Sequence, residues 1–479
     1  MTDVPILVGA ATAEQWPDHP GDGVSCGELM ADAARAAIED TGAAGLGSTT
    51  DLVLVTRGLS NLSDGAHRIA AALGAPRARC VAYQAGIPQQ ALISRAIDAV
   101  RRGEARTVVV AGGETKRRDD LARRAGIALE APEPWSDDEL IVPEGEIVAR
   151  PEVETRAVAP VQQYALIDSA RRAANGWSLD EHRDDIADIW ESFNEVARAN
   201  PRAAFGRPMS AAEIREPTDE NRLLAFPYNK WHNSQWAVDQ AAALVITSES
   251  LAAEHRADPA RWLYPHVALE SSQSLSLSRR ADLHRWPAMG VVGRAAAEHL
   301  GRPLASIEHV ELYSCFPAAV RVQQAELDLD PVAPATITGG MAFAGGPFNN
   351  FVYQATVAMA ERLRSDPGSL GLVTVVSGLL TKPGLTVWTT TRPESVLVAD
   401  LVEEATAATV VAPLDEDPAG VGRIATYTVV DDRVVAVIDL EEGDRAVATL
   451  DDAAIAVRAT REELIGAVVA VDGRSMVLR

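Results

Sequence analysis

The stretch VVVAGGETK, Val108–Lys116, constrains the fold most, because the chain echoes it as VVSGLLTK at Val375–Lys382. Laid over each other, Val109 falls on Val375, Gly112 on Gly378, Thr115 on Thr381 and Lys116 on Lys382. Lysine is scarce here, and two of its positions match. Each copy reads as a buried strand ending in a glycine turn. Each also follows a stretch of helical apolar spacing, Ala91–Val100 and Phe351–Leu363. A glycine-bearing turn opens each helix: QAGIPQQ at Gln84–Gln90 and FAGGPFNN at Phe343–Asn350. Turn, helix, strand and glycine turn, twice over, predict a duplicated α/β unit.

With 479 residues, the chain has room for two or three domains. Its net charge of -24 argues against nucleic-acid backbones and anionic membranes as partners. A local basic pocket for a phosphorylated ligand stays compatible with that balance. The cysteines, Cys26, Cys80 and Cys315, lie far apart with no metal-ligand spacing, which fits a reduced, cytoplasmic setting. The N-terminal MTDVPILVGAATA lacks the basic start and long apolar run of a signal peptide. No apolar run is long enough to span a membrane as a helix.

In chain order, strands are predicted at Pro5–Ala11, Asp51–Thr56 and Arg79–Ala82, and helices from Ser25 to about Asp40 and at Ala66–Leu73. Cys80 reads as a small buried strand residue. From Arg117 the texture turns charged and rich in proline and tryptophan, with helices at Val161–Asn175 and Leu179–Asn200. This is an excursion that either covers a site or elaborates the surface. Regular texture returns at Pro227, with Val238–Thr247 as a helix start running into a strand or as one buried strand, Trp262–Leu269 and Ile307–Leu312 as strands and Pro287–Leu300 as a helix. Beyond Thr391, five short strand-like runs begin at Ala425, Val434, Ala446, Ala467 and Ser475, with a helical interruption at Thr460–Ile465. That order suits a small closed barrel of the OB type. Its single aromatic, Tyr427, and its acidic character favour a structural or protein-contact role over nucleic acid. The divisions expected are 1–116, 117–226, 227–391 and 392–479.

Three motifs carry a family resemblance. The AGGET segment, VELYSCFPAAV at Val310–Val320 and GGMAFAGGP at Gly339–Pro347 resemble, in this order, segments of the thiolase superfamily. With the OB-like tail, the closer match is to thiolase-like proteins of type 1, often labelled acetyl-CoA acetyltransferase. The resemblance implies an α/β thiolase fold: two duplicated βαβαββ halves in layers, a helical loop insertion and a C-terminal β-barrel. It also implies acyl-CoA or a related thioester as ligand, with no separate cofactor and no metal. A homodimer or a protein partner is a further expectation, because thiolases pair through a sheet edge.

A thiolase needs a nucleophilic cysteine at a helix N-terminus, a histidine to activate it, a second cysteine and oxyanion holes. By this resemblance the nucleophile position falls at Gly86, the histidine at Gly346 and the Asn or His of the second motif at Tyr313. No cysteine lies between Gly371 and Thr390, and Cys80, in its strand, should not reach the nucleophile position. Tyr313, Cys315 and Lys382 are the substitute catalytic candidates. Gly86, Pro88, Gln89, Gly345, Gly346, Pro347, Asn349, Ser377 and Gly378 are expected to line the substrate pocket. Three readings follow: a thioester-binding protein without the usual acyl transfer, an acyltransferase or lyase using other residues, and a non-catalytic subunit that docks a partner through its tail. His232, His299 and His309 have no partner at motif spacing and read as ordinary histidines.

Overall fold

The computed structural model describes residues 3–60, 62–129 and 136–479. Its first sheet contains β1 (Pro5–Gln15), β2 (Thr50–Thr56), β3 (Arg79–Tyr83), β4 (Thr107–Thr115) and β5 (Glu139–Ile141). A small hairpin, β6 (Leu223–Ala225) and β7 (Tyr228–Asn229), precedes β8 (Asp239–Ser248), which completes that sheet in the order β1-β8-β4-β2-β3-β5. Every residue of β4 and of β8 is buried, as strands covered on both faces must be. Alternate side chains feed two cores. Ile6, Val53, Val109 and Val245 face the helices Cys26–Asp40 and Gly65–Ala72, while Leu7, Leu54, Val110 and Leu244 face Gln89–Arg101 and Phe351–Ser365. Ser25 caps the first of these helices in a reciprocal capping box with Glu28.

The second sheet comprises β9 (Tyr264–Glu270), β10 (His309–Glu311), β11 (Leu370–Ser377), β12 (Lys382–Thr389) and β13 (Leu397–Asp400), ordered β10-β11-β12-β9-β13. The helix Pro287–Leu300 packs against β9 and β12. A closed barrel follows, of β14 (Ala419–Val430), β15 (Arg433–Leu440), β16 (Arg445–Leu450), β17 (Val468–Asp472) and β18 (Ser475–Leu478).

Several boundaries differ from the sequence reading. β1 continues past Ala11 to Gln15, because it pairs antiparallel with β8 along that length. The strand expected early in the second half is β8, which lies between β1 and β4 in the first sheet. The barrel's helical interruption falls at Ala453–Ala459 rather than Thr460–Ile465, because the Asp452 carboxylate accepts the Ala454 and Ile455 N–H groups and starts the helix earlier. The two echoed copies also part at their lysines. Lys116 opens the helix Lys116–Arg124, whereas Lys382 opens β12.

The excursion folds as helices Pro160–Ala174 and Leu179–Ala199, and the barrel docks on the first of them. The wholly buried Arg172 guanidinium makes two 3.0 Å bonds to the Glu463 carboxylate, and Thr426 Oγ1 donates to Leu166 O. Tyr427 faces the barrel interior, stacked near Phe226 with its hydroxyl on Ala459 O, so it presents no platform for a base.

Candidate functional site

Gly86 precedes the helix Gln89–Arg101, with Pro88 as the N-cap residue. Its φ of +102° is one that side chains other than glycine's rarely adopt, and a Cβ there would lie 3.2 Å from Pro143 Cγ. Pro143 belongs to a strap, residues 141–149, that runs on from β5. The strap is anchored at one end by Gln84 N–H donating to Ile141 O. Lys382 Nζ clamps it by donating to both Gly86 O (3.1 Å) and Glu144 O (3.2 Å). Ser274 Oγ donates to the same Glu144 carbonyl. Burial pushes the Lys382 ammonium below its ordinary pKa. Further along, Ile147 approaches Gly378. Gly378, Leu379 and Leu380 form a left-handed turn with φ of 60°, 57° and 65°, between the paired ends Ser377 and Lys382. Arg280 Nη2 holds this turn through Leu379 O at 2.6 Å, and burial lowers the guanidinium to about 10.

The side chains after Gly86 serve packing. Gln89 Oε1 accepts the Val352 N–H at the start of the other central helix. Gln90 bonds Ser94 and Thr386. At the second glycine turn, a Cβ on Gly346 would sit 1.8 Å from Ser234 Oγ, so a histidine side chain has no room without movement. Gly345, with φ of +112°, abuts Gln240. Pro347 O accepts from Asn350 N–H, and Asn349 Nδ2 donates to Arg57 O.

Tyr313 and Cys315 lie in the apolar core. The Tyr313 ring meets Phe351 edge-on at 5.9 Å, and its backbone N–H donates to Thr374 Oγ1. Cys315 neighbours Tyr164, whose ring stacks on Phe316 at 4.4 Å. Burial pushes the Cys315 thiol up to about 12 and the Tyr313 hydroxyl well above its ordinary range. A thiol so disfavoured as thiolate is a poor nucleophile at neutral pH. The structure thus gathers Gly86, Gly378 and Lys382 beneath one strap, and sets Tyr313 and Cys315 among aromatic rings.

Sequence reasoning missed the strap and Ser234. The Pro-Glu-Gly turn at Pro143–Gly145 marks a bend, but nothing local says what it covers. It also missed a grouping of His67, Cys80 and Asp138, whose ligand atoms lie within 4.8 Å of one another. There His67 Nδ1 meets Asp137 at 2.9 Å and Asp138 accepts the Cys80 N–H, tying the approach to β5 to β3. His232 is buried and held neutral, with a pKa of about 3, and Nδ1 accepts the Asn229 N–H.

Two layered sheets around a pair of central helices, with a glycine turn at the head of each helix and a five-stranded barrel behind, define a thiolase-fold protein with an OB-like C-terminal domain. Among solved structures, the chain is similar over its whole length to the monomeric SCP2-thiolase like protein type 1 of Mycobacterium smegmatis. That match has 25% identity, a TM-score of 0.86 and 100% coverage of both chains. It also resembles an Ltp2-ChsH2(DUF35) aldolase, at 18% identity and a TM-score of 0.55, over 81% of this chain and 98% of that one. Human mitochondrial 3-ketoacyl-CoA thiolase in complex with CoA matches at 15% identity and 0.57, over 82% and 99%. No family model and no curated protein matches the sequence. None of the described helices is long and apolar enough to cross a membrane.

Proposed function

We propose that this chain binds an acyl-CoA or a related thioester on a thiolase scaffold and forms no acyl-cysteine. The observation that carries the reading is the state of Gly86: positive φ, Pro143 over its missing side chain, and its carbonyl occupied by Lys382. An acyl-enzyme needs a thiolate at that point. The histidine position is closed in the same way, by Ser234 against Gly346. Support for a thioester ligand comes from the fold shared with a thiolase that holds CoA. In this reading Lys382 is the cation within reach of a thioester oxygen, and the strap regulates entry to it. The buried, unpaired cysteines fit a reduced, cytoplasmic setting.

Catalysis by Tyr313 or Cys315 is the weaker reading, because each would have to ionise inside the apolar core. A subunit that docks a partner through its barrel is the other alternative. It draws on the assembly of a thiolase-like chain with a DUF35 protein, but here the barrel already packs on the chain's own helix Pro160–Ala174.

Isothermal titration of the full chain with CoA, acetyl-CoA and longer acyl-CoAs tests the proposal. Saturable heat for at least one thioester, with no free CoA released, is expected. No heat and no thermal shift across the series would overturn it.

A further inference from the structure

We propose that a cavity of about 750 Å³ beside the helix Phe351–Ser365 is a second ligand site, for an elongated, uncharged, largely apolar molecule that carries an amide. No residue of the strap over Gly86 lines it, and of the residues expected at the thioester pocket it shares Gly345 alone; the proposal does not rest on the thioester reading.

Its shape follows the helix. Phe351, Gln354, Ala358, Arg362 and Ser365 line it at successive turns of one face. At 1.5 Å per residue, that span is about 21 Å. Apolar side chains elsewhere in the lining include Val310 of edge strand β10, Leu312 and Ile337. The volume lies in the range of pockets that enclose small organic ligands.

Its chemistry is set by Gln354. Both polar atoms of this side chain, Oε1 and Nε2, are buried without a hydrogen-bond partner. A buried amide left unpaired is disfavoured, and an occupant offering one acceptor and one donor relieves it. An amide offers both. The lining carries four carboxylates, Glu14, Glu308, Asp330 and Glu361, against the guanidinium groups of Arg202 and Arg362. Arg202 is already committed to Glu361, and Arg362 Nε donates to His309 Nδ1. The carboxylates of the lining outnumber its guanidinium groups, so its field disfavours a phosphate or a carboxylate and favours a neutral ligand.

Calorimetric titration of the full chain with octanamide tests this, with octanoate as the anion of equal length. Saturable binding of octanamide is expected, with octanoate at least tenfold weaker. Gln354→Leu should weaken octanamide at least tenfold, and Ala358→Trp, which fills the channel, should abolish its binding. Should Ala358→Trp fail to fold, Ala199→Trp narrows the cavity from the exposed helix end opposite. No saturable heat with octanamide, equal binding of octanoate, or unchanged binding in Gln354→Leu or in the folded tryptophan variant would overturn the site. Acyl-CoA is titrated separately, so loss of octanamide binding with acyl-CoA heat intact sinks this site alone. The converse result sinks the thioester reading alone.

Discussion

The Lys382 ammonium lies 3.1 Å from the carbonyl oxygen of Gly86, 296 positions earlier in the chain, and 3.2 Å from that of Glu144. One cation therefore joins the second half of the fold to the first and holds the strap across both. Lys382→Met removes the donor and leaves the Gly86 carbonyl short of a partner, while Glu144 O keeps the Ser274 hydroxyl, a loss of about 1–3 kcal/mol. The expected result is a lower unfolding midpoint and faster proteolytic cleavage within 141–149. An unchanged cleavage pattern would show that the strap is held by other contacts.

Restoring the thiol at position 86 should not restore a thiolase. Gly86→Cys places a side chain at φ +102° against Pro143, at a cost of roughly 1–3 kcal/mol. Mass spectrometry after incubation with acetyl-CoA should show no acetyl adduct on the introduced thiol. An adduct forming within minutes would mean that the strap opens readily and that the site retains its chemistry.

The native thiols should be slow to react. Cys26, Cys80 and Cys315 are all buried, and burial pushes Cys80 and Cys315 each to about 12. An aromatic disulfide reagent at pH 8 should titrate no thiol rapidly in the folded protein and all 3 after denaturation. A single fast thiol mapping to Cys315 would revive it as a nucleophile.

Glu270 predicts a pH dependence. Burial beside Ser94 pushes its carboxyl from an ordinary value near 4.5 up to about 8. The folded chain then holds a proton that the unfolded chain releases between roughly pH 4.5 and 8. Its contribution is complete below that window and declines as pH rises through it. Thermal melts from pH 5 to 9 should show this decline, and Glu270→Gln should lessen it, leaving the part due to buried Glu114 and Glu311, each pushed up to about 7. A wild-type curve as flat as the variant's would refute the assignment.

The barrel's attachment rests on Arg172 and Glu463. Glu463→Ala strands a wholly buried guanidinium and should destabilise the chain by about 3 kcal/mol. Arg172→Leu, which removes the charge itself, should cost less. The comparison is made by denaturant unfolding of the two variants, and a larger loss for Arg172→Leu would contradict the burial argument.

Much of this architecture was legible from local pattern. Unbroken apolar runs such as Val108–Ala111 mark strands covered on both faces, and alternation in the last 60 or so residues marks a barrel. The resemblance of three short motifs was enough to point to Gly86 and Gly346. Tyr313 and Cys315 were harder to judge: their sequence neighbours are those of a loop, and only the packing of Phe351 and Tyr164 reveals how dry their surroundings are.

Residue order alone marked most of the strongly periodic helices and strands, because periodicity records the buried face one residue at a time. It also left position 86 without a side chain. Long-range packing settled everything that depends on distant neighbours. It put β8 in the first sheet, laid Pro143 over Gly86, turned the two echoed lysines to unrelated tasks and left the Gln354 amide unpaired beside a cavity. A covering segment leaves no periodic trace in what it covers, so such contacts are visible only once the chain is folded.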